Sequence, residues 1–149
     1  MQEYVETEAT IDAPLEDVAS YAADPSNAPE WYENITSAEW ETSPPLQQGS
    51  RIAFVARWMD GRLEYTYEVV DFVPNERLVM RAAQGPFPME TTYTWQPLGD
   101  GKTRMTLRNR APDDSEARRA MQRANEKDLE NLRSLLERRH AKDETRSSS

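Results

Sequence analysis

The sequence contains no cysteine and a single histidine, His140, among its 149 residues. The missing thiols exclude disulfide frameworks, cysteine-ligated zinc, thiol nucleophiles and iron–sulfur clusters. One histidine near the C-terminus leaves no Ser–His–Asp triad and no multi-histidine metal site. The sequence therefore predicts no catalytic residue of these classes, no metal site and no cofactor.

Long apolar runs are also missing. The longest, Ile52–Ala56, has five residues, whereas a membrane-spanning helix needs about 20. Residues Met1–Glu3 lack the basic and apolar regions with which a signal peptide begins. We expect a soluble, cytoplasmic protein with no membrane span, present as a monomer or a homodimer.

Positive charge is in the minority, with 18 lysines and arginines against 27 aspartates and glutamates and a net charge of -9. Such a surface repels the phosphate backbone, so we expect no nucleic-acid partner. Basic residues do cluster near the C-terminus, but acidic residues are interleaved with them. That pattern is typical of a solvated helix face.

The chain has the composition of a folded domain, with 37% hydrophobic and 9% aromatic residues. A chain of this length buries roughly 68–70% of its unfolded surface, enough for a real core. We expect one domain over residues 1–140, followed by a disordered, charged and serine-containing tail at residues 141–149.

The N-terminal part begins with an alternation of apolar and polar residues from Val5 to Ile11. This period of two is typical of a half-buried strand. The strand ends at Asp12–Pro14, where Pro14 suits the first turn of a helix and Asp12 or Ala13 lies near its cap. A second break at Asp24–Asn27 predicts another short helix that reaches Trp31.

From Ile35 to Arg110 the pattern predicts six further strands of an antiparallel sheet. The reversals are marked by Gly49, Asp60-Gly61, Pro74-Asn75 and Gly99-Asp100-Gly101.

The sharpest turn signal is Asp60-Gly61, which suits a two-residue type I′ turn. Centred there, the hairpin places Phe54 opposite Tyr67 and Arg57 opposite Glu64. The aromatic side chains then share one face of the sheet, and the charged pair lies on the other face.

After Pro112 the sequence predicts a long helix that begins with a capping box formed by Asp113 and Glu116. Its apolar stripe consists of Ala117, Ala120, Met121, Ala124, Leu129, Leu132, Leu135 and Leu136. The alanines in the first half would leave space between the helix and the sheet, and the leucines in the second half would close it.

Several short segments stand in a characteristic order: Ala9–Val18, Trp31 after Asp24-Pro25, Gly49, Gly85–Phe87, Gly101–Thr103 and Ala124–Leu129. With the predicted elements, they resemble the polyketide cyclase/dehydrase branch of the START-like (SRPBCC, Bet v 1-like) superfamily over about residues 3 to 139. The resemblance implies an α+β helix-grip fold. In that fold a curved seven-stranded antiparallel sheet wraps around a long C-terminal helix, and two short helices lie between strands 1 and 2.

The resemblance also implies a deep apolar cavity between sheet and helix. The ligand-binding residues it implies are Trp31, Phe54, Trp58, Tyr65, Tyr67, Met80, Phe87, Met89, Tyr93, Met105, Leu107, Met121 and Asn125. A wall rich in aromatic residues and methionine suits a flat or irregular apolar ligand. The alternative is that these side chains simply fill a core.

Four residues have two interpretations each. Trp31 and Phe87, the latter in the Gly85–Pro88 turn, either gate the cavity or only cover its open end. Asn125 either points a hydrogen-bonding group into the cavity or does not. Asp128 either points such a group into the cavity as well or lies at the edge of the apolar stripe, paired with a surface lysine or arginine. We expect the second, because a buried carboxylate is costly.

The leading functional hypothesis is the binding of a small hydrophobic or aromatic ligand, lipid-like or polyketide-like, without its transformation. The alternatives are a polyketide cyclase/dehydratase-type enzyme and a co-chaperone-like protein-interaction module. The resembled aromatase/cyclases place an arginine on the strand after the hairpin turn, where this chain reads Tyr67–Val70. Tyr65, Tyr67 and Tyr93 would remain as proton donors.

Overall fold

The computed structural model describes residues 4–58, 61–84, 89–110 and 114–147. Within these ranges the elements are β1 (Tyr4–Ile11), α1 (Leu15–Ala23), α2 (Ala28–Trp31), β2 (Ile35–Trp40), β3 (Arg51–Trp58), β4 (Gly61–Val73), β5 (Arg77–Gln84), β6 (Glu90–Gly99), β7 (Lys102–Arg110) and α3 (Ser115–Ser147). A short 3₁₀ turn, Pro25–Asn27, joins α1 to α2.

The seven strands form one curved antiparallel sheet in the order β1-β7-β6-β5-β4-β3-β2, which makes a half-barrel with the long α3. The predicted α+β helix-grip fold is therefore confirmed, including the two short helices between β1 and β2. The alternation in β1 is also as predicted, since Val5, Thr7 and Ile11 are buried and Glu6 and Glu8 are exposed.

The connection between β1 and β2 differs in one detail from the prediction. Pro14 is the N-cap residue of α1 rather than part of its first turn, with an extended backbone and no side-chain cap, and Asp12 and Ala13 directly precede it. A fixed φ near −65° fits this position as well as the first helical one. Asp24 caps the following 3₁₀ turn by accepting a hydrogen bond from Ser26 N at 2.9 Å, and α2 ends at Trp31 as predicted.

The predicted register of the β3–β4 hairpin is wrong by two residues. Trp58 pairs with Gly61, and Phe54 pairs with Tyr65 rather than with Tyr67; residues 59 and 60 lie outside the described ranges. Arg57 consequently lies opposite Arg62 rather than Glu64. A slip of two residues leaves every side chain on its original face, so the predicted aromatic face is preserved.

The helix α3 begins one residue later than the predicted cap implies. Asp114 accepts hydrogen bonds from Glu116 N at 3.4 Å and from Ala117 N at 3.2 Å, and Asp113 lies outside the described residues. Ala120, which was assigned to the apolar stripe, is exposed. A stripe of period 3.6 drifts around the helix, and this position has rotated out of contact with the sheet.

In its second half α3 closes the core with Leu129, Leu132 and Leu136, which are buried beside α1 and the sheet. The helix is described as far as Ser147. The single domain ending at residue 140 stays a prediction. Among the described residues no helix is long and apolar enough to cross a membrane.

Candidate functional site

A cavity of about 160 Å³ lies between the sheet and the first half of α3. α3 contributes Met121, Ala124, Asn125 and Asp128 to its wall, and the leucines of its second half are not part of it. The α1–α2 side adds small residues, among them Ala22, Ala23 and Ala28. Because the side chains on these two sides are short, they leave the space between the elements unfilled. Further along α3 the larger leucine side chains fill the space between the helix and its neighbours.

Most of the predicted site residues contribute to this wall. They are Phe54, Tyr65, Tyr67, Met80, Met89, Tyr93, Met121 and Asn125. The side chain of Trp58 and all of Phe87, with the Gly85–Pro88 turn, lie outside the part of the chain that the structure describes. Binding of a ligand by these residues stays a prediction.

Three predicted residues are buried but lie away from the cavity. Met105 and Leu107 of β7 are 0% exposed and share the aromatic face, but neither lines the cavity. Trp31 is 1% exposed, and its ring packs on Tyr32 at 4.1 Å and on Tyr93 at 5.8 Å between centroids. Trp31 therefore supports the wall from behind.

The aromatic side chains of the wall contact one another. Phe54 stacks on Tyr65 with centroids 5.5 Å apart, and Tyr65 meets the edge of Tyr67 at 5.1 Å. Such offset and edge-to-face contacts stabilise an aromatic cluster beyond the burial of its area. These contacts fix the orientation of the ring faces that line the cavity.

A chain of hydrogen bonds crosses the cavity wall from sheet to helix. The Tyr67 hydroxyl and Thr91 Oγ1 are 2.8 Å apart, Asn109 Nδ2 donates to Thr91 Oγ1 at 2.7 Å, and Asn125 Nδ2 donates to Asn109 Oδ1 at 2.7 Å. Asn125 thus faces the cavity, hydrogen-bonded to the sheet. Sequence reasoning missed Thr91 and Asn109, although each has the strand parity of a predicted wall residue, Tyr93 and Leu107 respectively.

Two further tyrosines form a hydrogen-bonded pair, with the hydroxyls of Tyr32 and Tyr93 2.6 Å apart. Burial raises the pKa of Tyr32 and of Tyr93 well above the usual value, and burial raises that of Tyr67 to about 12. All three are therefore neutral phenols at physiological pH. The Tyr65 hydroxyl has no hydrogen-bond partner among the described residues.

The expected surface position of Asp128 is wrong, since its side chain is buried, 4% exposed, and lines the cavity. Its Oδ1 accepts a hydrogen bond from Glu33 N at 3.1 Å. Asp128 lies one turn from Ala124 and Asn125, so helical geometry directs it to the same side. Burial raises its pKa from 3.8 to about 6. Lys127, the neighbouring cation, pairs instead with Glu33 at 2.9 Å.

The cavity contains little that would hold a metal ion. Among the described residues there is no group of three or more His, Asp or Glu side chains placed to bind one. Its polar groups are phenols, amides, one threonine hydroxyl, one carboxylate and the guanidinium of the exposed Arg57, which are suited to hydrogen bonding with a small molecule.

Solved structures of similar fold come from several bacteria. The Zhui aromatase/cyclase from Streptomyces sp. R1128 is 20% identical, with 91% of this chain and 94% of that chain covered and a TM-score of 0.73. A START superfamily protein from Mycobacterium smegmatis is 17% identical, with 93% and 97% covered and a TM-score of 0.70. A protein from Thermus thermophilus is 22% identical, with 94% and 98% covered and a TM-score of 0.70.

Identities this low establish the fold alone, and no curated protein matches the chain. The family model described as polyketide cyclase / dehydrase and lipid transport matches residues 2–137, nearly the whole length. The resemblance predicted from the short sequence segments is confirmed. With its helix-grip architecture and this match, the chain belongs to the polyketide cyclase/dehydrase and lipid transport family.

Proposed function

We propose that this protein binds a small hydrophobic or aromatic molecule in the cavity between the sheet and α3, without transforming it. The observation that carries the proposal is the composition of the wall. Phe54, Tyr65, Met80 and Met121 face a common void of about 160 Å³. Aromatic rings supply apolar area and methionine adapts to the shape of a guest.

The volume limits the size of the ligand. A void of about 150 Å³ lined by apolar side chains accommodates benzene, so the present cavity fits a single six-membered ring with a short substituent. An aromatic ring buries roughly 150–250 Å², which at about 25 cal/mol per Å² contributes about 4–6 kcal/mol. Association entropy offsets part of this gain, and the full gain alone would correspond to about 1 mM at its lower end, so we expect dissociation constants of about 1 mM or weaker.

A polar substituent would find partners in the wall. The Tyr65 hydroxyl has no hydrogen-bond partner among the described residues, so it is available to a ligand. A few such groups in an otherwise apolar pocket fix the orientation of a bound molecule.

The proposal is tested by titrating the protein with benzyl alcohol and following amide chemical shifts by NMR. We expect saturable shifts confined to residues around the cavity. Ala124→Leu, which places a larger side chain in the wall, should weaken binding at least about tenfold. The matched control is Ala120→Leu one turn earlier on the exposed side of α3, which should leave affinity unchanged.

Equal affinities of the two variants, or shifts scattered over the surface, would contradict the proposal. Native mass spectrometry of the purified protein supplies a second test, since a retained small molecule should add a discrete mass that benzyl alcohol displaces. The cytoplasmic location and the monomeric or homodimeric state stay predictions from the sequence.

Cyclase or dehydratase chemistry is a second candidate, favoured by a buried acid, Asp128, in the same cavity as the Tyr65 hydroxyl. In the described wall the only arginine is Arg57, which is exposed, so polarisation of a carbonyl would fall to neutral phenols. Under this candidate the protein would cyclise a linear poly-β-keto thioester, and Tyr65→Phe with Tyr67→Phe would abolish the product. Absence of any cyclised product with the wild-type protein would leave ligand binding as the function.

A further inference from the structure

We propose that the cavity selects a protonated amine carried on a compact apolar body, because the carboxylate of Asp128 lines the same cavity as the aromatic rings of Tyr32, Tyr65 and Tyr93. The inference rests on the proposed binding function and names the chemical class of its ligand.

The first argument is the half-satisfied carboxylate. Asp128 is 4% exposed, and Oδ1 is occupied by the backbone N–H of Glu33. Among the described residues no hydrogen bond reaches Oδ2. A buried carboxylate that lacks a counter-ion is strongly disfavoured. A positively charged ligand would pair with it and gain binding free energy that a neutral ligand does not gain.

Among the described residues no cation forms an ion pair with Asp128. Lys127, its neighbour in sequence, lowers the pKa of Asp128 only through space, because its Nζ pairs with Glu33 Oε1 at 2.9 Å and its side chain is 62% exposed. Arg57 is the only cationic residue in the described wall, and it is exposed on β3. Asp128 is therefore the only buried charge in the described wall.

The second argument is the aromatic surroundings. Tyrosine rings attract a cation that lies within about 6 Å of the ring face, most strongly where water is excluded. An ammonium group has three donors and no acceptor. It can therefore donate hydrogen bonds to a carboxylate oxygen and to phenolic oxygens, which are the acceptors that this cavity offers.

Charge also determines what the cavity rejects. A carboxylate ligand would bring a second anion beside Asp128 with no buried cation to compensate it. A neutral alcohol of the same shape would make hydrogen bonds without the charge-assisted gain. The order of affinity should be amine, then alcohol, then carboxylate.

Three ring-sized probes test this order at pH 7.5: benzylamine, benzyl alcohol and benzoate, each titrated by NMR or calorimetry. We expect benzylamine to bind at least about tenfold more tightly than benzyl alcohol, and benzoate to bind most weakly. Asp128→Asn keeps an oxygen for the Glu33 N–H and removes the charge, so it should bring benzylamine to the affinity of benzyl alcohol. Glu126→Gln, which removes an exposed charge from the same helix, should leave the order unchanged.

The pH dependence supplies a readout that a purely structural role would not give. The charged and titratable groups around Asp128 are Glu33, Lys127, Tyr32 and Tyr93. Protonation of Asp128 below its pKa of about 6 removes the negative charge. The preference for benzylamine over benzyl alcohol should therefore shrink between pH 7.5 and pH 5.

The outcomes separate the two proposals. If benzyl alcohol binds in the cavity but benzylamine binds no better, or if Asp128→Asn retains the preference, the amine inference is overturned and the binding function stands. If none of the three probes binds, the proposed function fails and the inference fails with it.

Discussion

At the level of single residues, Asp128 combines a cost to stability with a position in the candidate site. Its carboxylate is buried with one hydrogen bond from a backbone N–H, and burial raises its pKa from 3.8 to about 6. A raised pKa in an acid means that the folded state favours the protonated form. Groups that lower stability in this way are frequently retained because activity requires them.

This predicts a sign for the pH dependence of stability. Between about pH 4 and pH 6 the folded protein binds more protons than the unfolded chain, so the free energy of unfolding falls as pH rises. A pKa raised from 3.8 to about 6 corresponds to about 3 kcal/mol once Asp128 is ionised. Asp128→Asn should therefore raise the free energy of unfolding by about 2–3 kcal/mol at pH 7.5, and by little at pH 4.

Urea denaturation of both proteins at the two pH values measures this difference. Glu126→Gln serves as the control for loss of one acidic charge from the exposed side of α3. If the difference in the free energy of unfolding between wild type and Asp128→Asn is the same at both pH values, burial does not destabilise the ionised carboxylate.

At the level of elements, α3 has two roles, and different parts of the helix serve each of them. Its first half presents Met121, Ala124 and Asn125 to the cavity, and its second half packs Leu129 and Leu132 into the core. The first turn contributes few buried contacts, so its stability depends on local hydrogen bonds. Asp114 provides two of them.

Loss of that cap should destabilise the cavity side of the helix. Asp114→Ala is expected to lower the free energy of unfolding by about 1 kcal/mol, because two backbone N–H groups lose their acceptor. Asp114→Asn retains a capping oxygen and should cost much less. Hydrogen exchange should show faster exchange in the first turns of α3 for the alanine variant, with residues near Leu132 unaffected. Equal exchange in both variants would contradict a capping role.

At the level of the whole molecule, a curved sheet closed by one helix leaves an internal space that no individual element contains. Any molecule that occupies it binds the native state and not the unfolded chain. Occupancy therefore stabilises the fold by mass action.

Thermal denaturation tests this linkage. At a benzyl alcohol concentration of ten times its dissociation constant, the stabilisation is about 1.4 kcal/mol, which for a chain of this size raises Tm by about 3–6 °C. Ala124→Leu, with the cavity reduced, should show no increase under the same conditions. A similar rise in both proteins would indicate binding outside the cavity.

The sequence by itself determined which side chains share a face. Alternation in β1 and in the β3–β4 hairpin is a local property of extended chain, so Phe54, Tyr65 and Tyr67 were placed together even though the hairpin register was wrong. The resemblance added the topology. It also supplied eight residues that the structure finds in the cavity wall.

Only the tertiary structure decided which facing surfaces touch and which stand apart. In the folded protein Met105 and Leu107 are buried away from the cavity, whereas Asn125 lines it, and the parity of the strand residues does not make this distinction. The tertiary structure also buries Asp128, although the cost of desolvating a carboxylate predicted a surface position. There Asp128 accepts a hydrogen bond from the backbone N–H of Glu33, 95 residues away in sequence. Contacts between residues so far apart depend on how the elements dock, which the local pattern of either segment does not specify.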